Sequence, residues 1–181
     1  MIVLRDKSRL RSHRSGVDDD YNIAHNKAGD MTVLVPFDGS KLARTALKRA
    51  ETFADSRDEK LVALTVLPAD EAFAVDRGWI SSPEEYDVSA LAAEFEDHVT
   101  AIAEEATFRY ETPDDTEVLT ATPADDITRT IREVAAELDV SVIFIGTENA
   151  GRISTPVTSV GSPLSKDPQY DVHIVRHAES V

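Results

Sequence analysis

Short runs of apolar, β-branched residues alternate along this chain with longer segments whose apolar residues recur every three or four positions, and that alternation constrains the fold most. Thr32–Pro36, Lys60–Leu67, Glu117–Ala121, Val140–Ile145 and Asp171–Arg176 are the predicted strands. Lys60–Leu67 and Val140–Ile145 are almost continuously apolar, as strands covered on both faces should be. Ser40 is placed to cap a helix carrying Ala43, Ala46, Leu47, Ala50 and Ala54 on one face. Pro68–Asp87 is expected to be a long loop, holding the single Trp, Trp79. Ser89 is the expected cap of a second helix bearing Leu91, Phe95, Val99, Ile102 and Ala106. Thr122 and Pro123 supply a cap and a first-turn proline for a third, striped with Ile127, Ile131, Val134 and Leu138. Helices of this length between buried strands imply parallel crossover units, hence an α/β fold with helices on both faces of the sheet.

Composition excludes several classes of function. No stretch approaches the roughly 20 apolar residues needed to cross a bilayer, and no apolar N-terminal run suggests a signal peptide. The absence of cysteine removes disulfides and thiolate chemistry. The expected location is the cytoplasm. The net charge is −15, with 19 Asp and only 6 Lys, an acidic balance best tolerated where salt screens it. It fits a halophilic, haloarchaeal cytosolic protein, and a field of this sign disfavours nucleic acid and anionic membrane as partners. Residues 1–30 are different, carrying a net +1 against −16 for the remainder. They lack periodicity after Leu4 and are expected to be a disordered extension, or sequence upstream of a true start at Met31. The predicted domain is 31–178.

In an open parallel sheet, ligands bind beyond the carboxyl ends of the strands, where the direction of crossover reverses. The segments expected there are Phe37–Ser40, Val66–Pro68 and the stretch from Gly146 to Ser162. A carboxylate such as Asp38 accepts hydrogen bonds from a base or a ribose, and small residues let backbone N–H groups approach phosphates.

Four motifs in order carry a family resemblance. Val33-Leu34-Val35-Pro36-Phe37-Asp38-Gly39-Ser40, followed by Ala43 and Ala46, resembles the opening strand, turn and helix of the universal stress proteins. Pro123-Ala124-Asp125-Asp126-Ile127 resembles the start of that family's third helix. Ile143-Phe144-Ile145-Gly146, then Gly151-Arg152 and Gly161-Ser162, is similar to the glycine loop of its ATP-binding branch, and Val172–Arg176 to its last strand. The resemblance implies a five-stranded parallel sheet in the order 3-2-1-4-5, the adenine nucleotide α-hydrolase-like arrangement. It also implies homodimers paired through the last strand, an unknown protein partner in a stress response, and no enzymatic turnover. For a bound ATP or AMP, it puts adenine near Val66, ribose against Asp38, and phosphates over Gly146, Gly151, Gly161 and Ser162. Pro36, Gly39, Ser40 and Arg152 complete the candidate nucleotide-binding set, although Arg152 serves equally as an exposed loop arginine.

The departures weaken that site. Four residues separate Gly146 from Gly151, where the family has two, so alignment on Gly161 sets Glu148 at a phosphate position. Pro163 removes a backbone N–H from the cradle, and Pro168 curtails the last helix. A degenerate adenine-nucleotide site is the leading expectation, with a working one the alternative and a weak ATPase a distant third. Phe37 occupies the place where a phosphoacceptor Asp38 would want a second acid, so a ligand-contacting or capping role is expected for Asp38. His13, His25, His98, His173 and His177 form no metal-ligand pattern, and satisfied or solvated roles are expected for them. Trp79 is expected to be a lid or partner contact, or else a cover for the sheet edge.

Overall fold

Thr32–Pro36 forms β1 at the centre of the sheet, and four of its five residues are buried because both faces are covered. The computed structural model describes residues 31–113, 122–147, 164 and 169–178. After β1 come α1 (Lys41–Arg57), β2 (Lys60–Val66), α2 (Glu71–Asp76), a 3-10 turn (Pro83–Glu85) and α3 (Val88–Thr100). Then follow β3 (Thr107–Glu111), α4 (Pro123–Glu137), β4 (Val140–Gly146) and β5 (Asp171–Val175). Every strand pairing is parallel, in the spatial order β3-β2-β1-β4-β5. This is the expected α/β architecture.

Alternate residues of the strands serve opposite faces, the period-2 geometry of extended chain. Val33 and Val35 of β1, Leu61 and Ala63 of β2, and Phe144 of β4 point to one face. There α1 contributes Ala43, Ala46, Leu47, Ala50 and Ala54, and α3 contributes Leu91, Phe95 and Val99. Four alanines and one leucine make a thin helix face, which lets α1 lie close over β1 and β4. Leu34, Val62, Leu64, Ile143 and Ile145 point to the other face, against Ile131, Val134 and Ala135 of α4. Each large fully buried side chain, such as Leu34, Leu47 or Ile131, contributes about 1.5–3 kcal/mol by leaving water.

The caps follow local chemistry. Ser40, in extended conformation, accepts a hydrogen bond from Ala43 N at 3.1 Å and starts α1. Thr122 begins α4 with a reciprocal capping box: its hydroxyl accepts from Asp125 N, and Asp125 Oδ2 accepts from Thr122 N at 3.1 Å. The second long helix differs from expectation, since Asp87, not Ser89, is the cap, accepting from Ala90 N at 3.0 Å. Asp and Ser cap about equally well, and it is Asp87, in extended conformation two residues upstream, that stands at the helix start.

Other boundaries are corrected as well. The predicted loop from Pro68 to Asp87 contains α2, capped by Asp70, and the 3-10 turn. The helix predicted to run through Ala106 ends at Thr100; Ile102 and Ala106 still pack against the core, but from a turn. That frees Thr107–Glu111 to be the third strand, in place of the expected Glu117–Ala121, which lies outside the described residues. As an edge strand, β3 has only intermediate or exposed residues, so its sequence lacks the apolar run that marks β2 and β4. By small margins, β2 stops at Val66, β4 reaches Gly146 and β5 stops at Val175.

Candidate functional site

Because all strands run the same way, Pro36, Val66 and Gly146, each the last residue of its strand, share one edge of the sheet. Beyond β1 the chain makes a tight turn through Phe37, Asp38, Gly39 and Ser40. Phe37 N donates to Leu64 O at 2.8 Å, and the buried Thr65 hydroxyl donates to Phe37 O at 2.8 Å, so β2 fixes where the turn begins. Asp38 Oδ1 accepts from Ser40 N at 3.0 Å, folding the carboxylate back over the turn. Gly39 has φ +75°, and a Cβ there would also stand 3.0 Å from the Phe95 ring, so both conformation and space require glycine.

Residues far along the chain grip the same turn. Trp79 Nε1 donates to Asp38 O at 3.2 Å, and the indole packs edge-on against Phe95 and Phe73 with centroids 5.5 and 5.6 Å away. Arg77 Nη1 lies 3.7 Å from Asp38 Oδ2. Arg44 Nε donates to Gly39 O at 3.0 Å. Trp79 is therefore neither a free lid nor a cover for the sheet edge. It braces the turn that presents Asp38, whose side chain keeps 41% of its exposure.

Gly146 has a role the motif did not suggest. A Cβ on it would overlap the backbone of Leu42 and stand 2.6 Å from Ala43 N, so this glycine lets the start of α1 seat directly on the end of β4. Thr147 N continues the ladder to Val175 O at 3.0 Å. The structure thus brings Pro36, Asp38, Gly39, Ser40, Val66 and Gly146 to one edge. Gly151, Arg152, Gly161 and Ser162 lie outside the described residues, as do Glu148, Pro163 and Pro168.

The chain matches the universal stress protein family model over residues 31–176. It belongs to the universal stress protein family. Solved structures agree on the fold. A universal stress protein in complex with cAMP is 23% identical, with a TM-score of 0.51 and coverage of 82% of this chain and 98% of that one. UspA from Lactobacillus plantarum is 22% identical at a TM-score of 0.51, with 83% and 100% coverage. A universal stress protein from Archaeoglobus fulgidus, 20% identical with a TM-score of 0.51, is matched over 83% of this chain and 45% of that longer one. No curated protein matches the chain at a significant level.

The contacts of the Asp38 turn are structural ones. Ser40 Oγ is committed to Ala43 N, and among the described residues no hydrogen bond joins it to a histidine, although His98 and Ser40 line one cavity. His98 departs from the expected satisfied state: its Nδ1 is buried without a partner among the described residues. His173 is exposed and stacks on Phe144, centroids 4.5 Å apart. Among the described residues no group of three His, Asp or Glu could hold a metal ion, and no helix is long and apolar enough to cross a membrane. Arg44, Arg77 and His98 are the site residues that the sequence did not disclose. Arg77 and Trp79 sit within the segment read as a long loop, where only Trp79 was singled out.

Proposed function

We propose that this universal stress protein is a binding module whose adenine-nucleotide site keeps its base-and-ribose half and has lost much of its phosphate half. The observation that carries this reading is the Asp38 turn. Its carboxylate is oriented by Ser40 N, its carbonyl by Trp79, and it remains accessible at the carboxyl edge of the sheet. That is the donor-accepting surface a ribose needs. Glu148 and Pro163, read from sequence, oppose a triphosphate by charge and by a missing N–H. The cAMP held by one relative of the same fold supports adenine nucleotides as the ligand class.

Calorimetric titration of the full chain with adenosine, AMP and ATP is the test. The expected result is measurable AMP binding, ATP tighter than AMP by no more than about threefold, and loss of AMP binding in Asp38→Ala. ATP binding about 100-fold tighter than AMP would establish a working phosphate cradle in place of this reading. Magnesium-dependent ATP turnover abolished by Asp38→Ala would make the protein an enzyme instead.

We also infer that two copies pair through β5. This strand ends the sheet order and carries Val172 and Ile174, so an uncovered outer edge would leave a template for uncontrolled pairing. Light scattering should give twice the chain mass; a monomer over a wide range of salt contradicts the pairing.

A further inference from the structure

The Asp38 turn has a second side. Between the first turn of α1 and the inner face of α3 lies an open cavity of about 310 Å³, lined by Asp38, Arg44, Arg77, Trp79, Glu94 and His98 among others. Arg44 is held by one edge only: its Nε donates to Gly39 O, and among the described residues no carboxylate pairs with its terminal amines. Arg77 rests over the Phe73 ring, 5.0 Å from the centroid. Its Nη1 forms a long ion pair with Asp38 Oδ2 at 3.7 Å, outside hydrogen-bond distance, so its N–H donors are not spent on that carboxylate. Of the two carboxylates, Asp38 already accepts from Ser40 N, and Glu94 belongs to the exposed flank of α3. His98 adds a buried Nδ1 with no partner among the described residues, an unmet polar atom in the wall.

Two guanidinium groups, each fixed from behind and with donors to spare, suit a group that accepts several charge-assisted hydrogen bonds at once. We propose that the cavity between α1 and α3 binds a phosphate monoester through Arg44 and Arg77. The phosphate has two possible sources. One is the 2′ or 3′ oxygen of a nucleotide whose ribose meets Asp38, which rests on the proposed function; the other is a free phosphate, which does not.

The experiment is calorimetric titration of the full chain with AMP, adenosine 2′,5′-bisphosphate, adenosine 3′,5′-bisphosphate and inorganic phosphate. The expected result is that one bisphosphate binds about 10-fold or more tightly than AMP, and that the ratio falls towards one in Arg44→Gln. Arg44→Lys, which keeps the charge without the fork, should give a partial loss and serves if the Gln variant fails to fold. Inorganic phosphate that binds wild type and not Arg44→Gln, with no nucleotide bound, supports the cavity site and overturns the nucleotide reading. AMP binding with no gain from either bisphosphate, and no binding of phosphate, overturns the cavity site alone. A bisphosphate preference that survives both substitutions also overturns it, because the phosphate then sits elsewhere. No binding of any of the four overturns both.

Discussion

Replacing Gly146 by Ala would put a methyl group where the first turn of α1 now lies. The added Cβ would overlap the Leu42 carbonyl and stand 2.6 Å from Ala43 N, against ordinary contacts of 3.4 Å or more. The tightest contact, 2.4 Å to the Leu42 carbonyl carbon, sets the relief needed: α1 and β4 must separate locally by roughly 1 Å. Little around them can yield. The start of α1 is tied by Ser40 to Ala43 N and by Arg44 to Gly39 O, and its inner face of Ala43, Ala46, Leu47 and Ala50 is fully packed. Overpacking of this kind costs about 1–3 kcal/mol, from a total stability of about 5–15 kcal/mol for a typical domain. For a domain of this size that lowers the melting midpoint by about 2–12 °C. Trp79, the single tryptophan, reports the transition by its fluorescence. If Gly146 served only to admit phosphates, alanine would weaken nucleotide binding and leave the midpoint alone. An unchanged midpoint in Gly146→Ala would therefore refute the packing argument.

Three further outcomes follow from the same contacts. Ser40→Ala removes the acceptor for Ala43 N and should cost about 1 kcal/mol, while Ser40→Asp should stay near wild type in the same thermal melts. Thr65→Val leaves the buried Phe37 carbonyl without its 2.8 Å donor and should cost about 1–3 kcal/mol, seen in urea as a lower midpoint with an unchanged slope. The Asp125 carboxyl is held below its ordinary value, chiefly by the Thr122 hydroxyl and then by the Thr122 N–H. Its stabilisation is thus full above the unfolded carboxylate range and lost as pH falls through the lowered folded value. Asp125→Asn should therefore melt below wild type at neutral pH, with the gap closing on acidification; a constant gap contradicts the assignment.

How far the sequence discloses this molecule depends on which forces set each feature. Strands buried on both faces are uniformly apolar, so β1, β2 and β4 are legible almost to the residue, while the order of the strands in the sheet came only with the family resemblance. Ser40 and Thr122 were legible because a cap is decided within four residues. β3 was not, since an edge strand needs few apolar residues and Ile102 and Ala106 continue the helical spacing of α3 beyond its real end. The site divides in the same way. Asp38 and Gly39 belong to a local motif, whereas the contact from Trp79 spans 41 positions and leaves no periodic trace. Gly146 was legible as a glycine of consequence, but its reason, the backbone of α1 pressed against it, exists only in three dimensions.

The groups that fix the Asp38 turn bear on the proposal that the ribose half of the site persists without its phosphate half. Its position rests on Leu64 and Thr65 of β2, its carboxylate on Ser40 N, and its carbonyl on Trp79 from the segment after β2. None of these supports comes from the stretch between Gly146 and Ser162. On the proposed reading, Glu148 and Pro163 change what meets a phosphate, while the contacts named for the Asp38 turn all come from other segments. The converse also holds. Loss of Trp79 would free the turn on the side of the α1–α3 cavity, so Trp79→Leu should weaken AMP binding even though no ligand atom need touch the indole. If AMP binds Trp79→Leu as it binds wild type, the turn is fixed by its own backbone alone, and the distant contacts are packing without consequence for the site.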